Sequence, residues 1–216
     1  MKRYLLKISG HLIHKIDILR QLLLEVHRLH VDNLGYFVLL PGGSVFADSV
    51  LNYQRAIHYS DDAAHWMAIK AMEVYGAFIS SQFGDLVIEV EDVNDAIGSG
   101  NRVPLLMPYR LLRRFDELPH SWDVSSDSIA VYIAHKLGLD VVILTKPVDG
   151  VILNGHLVTE LTSAEALNMS IQVFDKYTPI LIRMYRMLVV IFNFNKPKTL
   201  SKIINGIKGR YTTIIP

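Results

Sequence analysis

The sequence has no cysteine. That excludes disulfides, thiolate metal sites and a cysteine nucleophile. It fits a reducing cytoplasm, and a hot one too, because cysteine is thermolabile. Long apolar runs are also missing. The most apolar C-terminal one, Met187 to Phe192, falls far short of the roughly 20 residues that span a bilayer. The opening Met1-Lys2-Arg3-Tyr4-Leu5-Leu6-Lys7 is broken by Lys7 and is too short for a signal peptide. No Walker A sequence is present, which closes the P-loop route to ATP. Gly98-Ser99-Gly100 lacks the third glycine of a dinucleotide fingerprint, which argues against a Rossmann-like oxidoreductase. Net charge is only +1, so no global field selects nucleic acid or an anionic membrane. Acids are missing from Lys176 to Pro216, which holds eight Lys or Arg, while Ser44 to Asp127 holds thirteen acids against six bases. Surface variation accounts for this imbalance, and so does a C-terminal part that holds a polyanion.

What is present suits a chain with a sizeable buried core. Half of the 216 residues are hydrophobic and a fifth are charged, enough for one large domain or two lobes sharing a sheet. Continuous apolar runs at Tyr4 to Ile8, Tyr36 to Leu40, Leu86 to Val90, Val103 to Met107, Asp140 to Leu144, Met187 to Phe192 and Tyr211 to Ile215 read as strands. Helical spacing marks Ile13 to Leu29, Asp61 to Ile79 behind a Ser60 cap, Ser125 to Leu137, Ser163 to Leu167, Asp175 to Met184 and Thr199 to Ile204. Ser44 can cap a further helix, and Asn154-Gly155 signals a hairpin. Strands that alternate with helices and are apolar on both faces imply an α/β, three-layer αβα sandwich with a mostly parallel central sheet.

In such sheets ligands bind beyond the C-terminal ends of the strands. The first strand ends in Lys7-Ile8-Ser9-Gly10, where a lysine can reach a phosphate and a glycine lets backbone N–H groups approach. The second ends in Leu40-Pro41-Gly42-Gly43-Ser44, either a tight turn or an anion cradle at a helix start. Ser121-Trp122-Asp123-Val124-Ser125-Ser126-Asp127-Ser128 gathers two carboxylates and several hydroxyls at one helix start, more than capping needs. The surplus points to a site that organises cations, either lysine or Mg²⁺. The nine histidines show no metal spacing; His65 stands apart because its helix faces the expected cleft.

In order along the chain, these segments resemble the amino-acid kinase superfamily. Lys7-Ile8-Ser9-Gly10 resembles its lysine-glycine-glycine opening, and Leu39-Leu40-Pro41-Gly42-Gly43 its second glycine turn. Asp127 with Ala130 and Ala134 resembles its aspartate-and-alanine helix, Val148-Asp149-Gly150-Val151 its turn near the nucleotide, and Asn205-Gly206 through Gly209 to Thr212 its closing segment. Pro41 to Asp48, Ser121 to Ser128 and Ala63 to Ala68 look closest to an archaeal and methylotroph branch that includes aminomethylfuran-methyl phosphate kinase. The resemblance implies an N-terminal lobe over residues 1–138 that binds a small acceptor, and a C-terminal lobe over 139–216 that binds ATP with Mg²⁺.

It implies that Lys7 and Asp127 are catalytic, and that Ser9, Gly10, Gly42 and Gly43 bind phosphate. Thr145, Lys146, Asp149 and Gly150 would bind nucleotide, and Asp48, Asp62 and His65 would face the acceptor. The implied acceptor is a phosphate monoester, with a carboxylate kinase or a nucleotide-binding sensor or storage protein as alternatives. The implied assembly is a cytoplasmic homo-oligomer, dimer or hexamer. The sequence also departs from the family pattern. Ser9 replaces a common glycine, Lys146-Pro147 replaces the usual threonine-aspartate, and no glycine-glycine-methionine segment carries a second catalytic lysine. Lys176 and Arg183 lie in that general region, and neither is assigned the role.

Overall fold

The computed structural model describes residues 1–96, 101–169 and 171–216; Gly98 and Gly100 lie outside them. The chain runs β1 (Arg3–Ile8), α1 (Ile16–Val31), β2 (Tyr36–Pro41), α2 (Ser44–Ile57), α3 (Asp61–Phe83), β3 (Val87–Val90), β4 (Val103–Leu106), α4 (Tyr109–Arg114), α5 (Ser126–Lys136) and β5 (Val141–Lys146). It continues through β6 (Val151–Leu153), β7 (His156–Val158), β8 (Glu160–Thr162), α6 (Ser163–Asn168), α7 (Thr178–Tyr185), β9 (Leu188–Asn193), α8 (Thr199–Ile204) and β10 (Tyr211–Ile215).

Eight strands form one sheet in the order β3-β4-β2-β1-β5-β9-β10-β8. All neighbours are parallel except β9 and β10. β1 pairs with β2 on one side and β5 on the other, so a single sheet crosses the expected lobe boundary near Gly138. Apolar clusters cover both faces. One holds Leu5, Val38, Leu40, Val142 and Leu144 against α5 and α7; the other holds Leu6, Ile8, Leu39 and Ile143 against α1 and α8. This is the expected α/β sandwich, and its strands are apolar throughout because both faces are buried.

Local details differ from the sequence reading in ways that matter at the site. The first helix starts at Ile16, behind a short 3₁₀ turn over Gly10–His14 that lets the chain leave β1 sharply. Ser44 does not cap α2. Gly43 holds the cap position, while Ser44 is the first helical residue with φ of 55°, and its buried hydroxyl has no partner among the described residues. Ser60 does cap α3, accepting from the Ala63 N–H at 3.2 Å. The helix expected from Asp175 begins at Thr178, with Pro179 in its first turn, because the Asp175 side chain is spent on free N–H groups there. Asn154-Gly155 closes the β6–β7 hairpin as expected; β8 went unrecognised in the sequence and pairs with β10.

Candidate active site

Strand alternation carries two lysines to one place. On β1, Leu5 and Lys7 share a face, and on β5 Val142, Leu144 and Lys146 share the same face. Lys7 lies level with Leu40 of β2 and Leu144 of β5, so both ammonium groups emerge at the C-terminal edge of the sheet under the start of α5. There Asp127, 3 % exposed, meets both. Lys7 Nζ lies 2.8 Å from Asp127 Oδ1, and Lys146 Nζ donates a short hydrogen bond to Asp127 Oδ2. Burial works to raise the Asp127 carboxyl pKa, but the two ammonium groups outweigh it and hold the group below the ordinary carboxylate range. Burial and the neighbouring Lys7 pull Lys146 down from the usual lysine value, against Asp127.

The surroundings fix this cluster. Thr145 is fully buried and joins β5 to the end of β1, donating to the Lys7 carbonyl and accepting from the Ser9 N–H, each at 2.9 Å. Tyr75 on α3 donates to the Ser9 carbonyl at 3.3 Å. Gly10 allows the closest approach: a Cβ there would lie 2.4 Å from the Ser44 nitrogen. The Gly42 N–H donates to the Ile8 carbonyl at 2.9 Å, which locks the two glycine turns together.

Asp175, which sequence reasoning missed, holds the start of α5. It accepts from the Ser125 N–H and hydroxyl at 2.9 and 2.6 Å and from the Ser128 N–H and hydroxyl at 3.1 and 2.5 Å. It also accepts from Tyr177 and Thr178 at the start of α7. The surplus of serines around Asp127 was the signal for it. The Ser125 and Ser128 hydroxyls serve Asp175, while Asp127 organises the two lysines.

A cleft of about 710 Å³ opens at these strand ends. Lys7, Ser9, Gly10, Gly43, Asp127 and Lys146 line its floor, and Asp48, Asp61, His65 and Trp122 line its outer part. Gly42, Thr145, Asp149 and Gly150 do not line it. Asp62 does not reach the cleft. It is largely exposed and binds His120 Nδ1 at 2.6 Å, while His120 Nε2 lies 2.8 Å from Asp116. His65 stacks on His120 with ring centroids 4.1 Å apart. Burial, then the neighbouring His120, push His65 down to about 4, so it is neutral at pH 7.

Asp149 is an ion-pair hub. Asn193 donates to it at 3.0 Å, Lys196 at 2.7 and 2.9 Å, and Arg210 at 2.5 Å. These partners overcome its partial burial and hold it at about 2. Gly150 packs against β10, where a Cβ would lie 2.1 Å from the Thr212 hydroxyl. The Pro147–Gly150 turn, with Val148 exposed, is thereby clamped beside the cleft. Lys176 is 86 % exposed and pairs with Asp123 at 3.2 Å, outside the floor of the cleft. The departure at Lys146-Pro147 is the informative one, because it brings a second ammonium group to Asp127.

Comparison with known proteins matches this architecture. Residues 2–193 match the model of the amino acid kinase family. The [5-(aminomethyl)furan-3-yl]methyl phosphate kinase of Methanocaldococcus jannaschii is 27 % identical over 98 % of this chain and 97 % of its own. Among solved structures, UMP kinase from Ureaplasma parvum superposes with a TM-score of 0.74 at 18 % identity, covering 100 % of this chain and 99 % of its own. Uridylate kinase from Archaeoglobus fulgidus gives 0.70 at 16 %, covering 99 % and 100 %. The chain belongs to the amino acid kinase family and is an ATP-dependent phosphotransferase.

Proposed function

We propose that this kinase moves the γ-phosphoryl group of ATP onto a small phosphate monoester, at the Lys7–Asp127–Lys146 cluster. The observation that carries the reading is one buried carboxylate holding two ammonium groups at the floor of a cleft. Phosphoryl transfer asks little covalent chemistry of a protein; it asks for alignment and neutralisation of spread charge. Lys7 and Lys146 would meet the transferring group from the sheet edge, and the backbone around Gly10, Gly43 and Ser44 would line the acceptor side. Asp127 orients both lysines and is no general base, since two ammonium groups occupy it. A phosphate monoester needs none. With a second pKa near 6, it presents an anionic oxygen at neutral pH. That oxygen bonds to the γ-phosphorus as the bond to ADP breaks, and the product is a diphosphate ester.

The nucleotide would lie toward the clamped Pro147–Gly150 turn, with Val148 offering an apolar surface to the base. Asp127, committed to lysine, is not a Mg²⁺ ligand. Mg²⁺ would enter held by the ATP phosphates and water, the usual habit of this ion. The named substrate of the archaeal relative carries an amine, a furan ring and a phosphate. The outer cleft here offers Asp48 and Asp61 to an amine and Trp122 and His65 to a flat ring. We therefore favour an aminomethylfuran-methyl phosphate as acceptor.

ADP release with Mg-ATP and this acceptor, UMP, aspartate or glutamate tests the reading. Turnover with the aminomethylfuran phosphate at least tenfold above the others is expected. Preference for UMP or an amino acid would overturn the acceptor. No turnover with any of them, and no thermal shift with ATP, would overturn the cluster's role.

A further inference from the structure

We infer that His65, Asp116 and His120 form a binding site for a divalent ion of the zinc class, between α3 and the segment leading into α5. The three residues each bring a donor atom, and these atoms all lie within 4.8 Å of one another. They come from separated parts of the chain: His65 from α3, and Asp116 and His120 from the connection after α4. Two imidazoles and a carboxylate, with water completing the shell, are the ligand set that Zn²⁺ and Co²⁺ accept.

The second shell is already in place. His120 turns one ring nitrogen to Asp116 at 2.8 Å and the other to Asp62 at 2.6 Å. With Nε2 on the ion, Nδ1–H still donates to Asp62, which is the carboxylate–imidazole–metal arrangement that fixes tautomer and ring orientation. Charge favours the same outcome. Among the described residues, the ion pairs of Asp62 and Asp116 are both with His120. Two carboxylates share this one imidazole, and a divalent ion would offset their negative charge.

In the structure the hydrogen bond between His120 Nε2 and Asp116 fills the ion's place. The stacked His65 and His120 rings are inclined by only 17°, so their lone pairs run side by side. Binding would turn the His65 ring until the lone pairs converge. It would also move the His120 and Asp116 donors apart to suit ion–ligand distances of about 2.0–2.2 Å. The ion therefore displaces a proton. Its consequence reaches the cleft, because His65 lines it and so do Ser121 and Trp122 just after His120. Trp122 donates in turn to Gln54 on α2 at 2.6 Å. A bound ion would tie α2, α3 and the cleft wall into one unit. The inference stands independently of the kinase reading.

The test is titration of the chelator-treated protein with Zn²⁺ by calorimetry and with Co²⁺ by visible absorption. We expect one equivalent bound with a micromolar or lower Kd, proton release into weak buffer, and a Co²⁺ spectrum of four- or five-coordinate type. His65→Phe keeps the ring stack and removes a donor; His120→Gln removes another. Each should weaken binding at least tenfold, the scale of a lost ligand or its support. His58→Gln, outside the cluster, should not. Absence of saturable binding below millimolar ion, or binding retained in the folded His65→Phe protein, would overturn the inference.

Discussion

Asp127 solves at one position a problem that either lysine alone would pose. An ammonium group in the first buried strand is costly unless it is paired, and so is a buried carboxylate. Lys7, Asp127 and Lys146 together leave one net positive charge, exposed only to the cleft. The three variants should therefore behave unequally. Asp127→Ala strands two ammonium groups and should destabilise by about 3–5 kcal/mol, the scale for breaking a buried pair; urea denaturation reads this. Lys7→Ala and Lys146→Ala each leave Asp127 with one partner. They should fold with near-normal melting while turnover falls roughly a hundredfold or more, as for a lost electrostatic donor. Lys7→Arg should restore little, because a planar fork cannot replace a compact charge under a glycine turn. Normal turnover in Lys7→Ala would remove the cluster from the chemistry.

Asp149 predicts a pH effect of definite sign. Its pKa falls from 3.8 to about 2 in the fold, so its contribution to stability is present above pH 3.8 and lost as pH drops toward 2. Its lysine and arginine partners are half or more exposed, so the effect is modest and falls with salt. Asp149→Asn should flatten the melting-temperature profile across that acid window and leave the neutral region less stable than wild type. An unchanged slope would mean the clamp is decorative.

Among elements, the joint between α5 and α7 matters most. Two helix starts present free N–H groups and hydroxyls, and Asp175 accepts from both. Hydrogen bonds to a charged group contribute about 1.5–3 kcal/mol each in net terms, and several share one carboxylate here. Asp175→Ala should thus cost at least about 3 kcal/mol by denaturant titration and, by loosening the helix that carries Asp127, lower kcat more than it raises KM. The glycine turns make a second joint. In Gly10→Ala the new methyl group meets backbone of Ser44 at 2.4 Å, and backbone cannot step aside as a side chain can. That variant should lose activity even where it folds, since α2 and the cleft mouth must shift. Wild-type kinetics in Gly10→Ala would show that the two turns need not touch.

For the whole molecule, the single sheet running from β3 to β8 joins the N-terminal and C-terminal halves of the chain through β1 and β5. A ligand on either side should stabilise the entire fold. At a hundred times Kd, ATP should add about 2.7 kcal/mol, visible as a raised melting temperature. No shift at millimolar Mg-ATP would contradict nucleotide binding. The outer faces of α2 and α3 leave Tyr53, Ile57, Met67 and Val74 exposed. Pairing of α2 and α3 between copies would bury them, so light scattering at micromolar concentration should give an oligomer; a monomer would refute it.

Composition and periodicity alone determined the architecture. Runs apolar on both faces and separated by helical spacing have few ways to bury themselves except between layers of helices. The last strand, the Ser60 cap and the Asn154-Gly155 hairpin were legible to the residue, because each is a short-range rule. Lys7 and Asp127 were legible as candidates because a charge in a buried strand and a surplus of acid at a helix start are locally anomalous. What only tertiary structure decided was partnership. Ser44 looks like a cap and is instead held with φ of 55° by the close approach of Gly10. Lys146 reads locally as an ordinary strand end, and it becomes the second cation only because β5 pairs with β1 in register. Asp175 and Asp127 are both acids near helix starts, and only the packing of α5 on α7 gives one the hydroxyls and the other the lysines. A side chain's type sets what it can bond, but its partners come from strands and helices tens of residues away. That choice belongs to register and packing, on which a single sequence is silent.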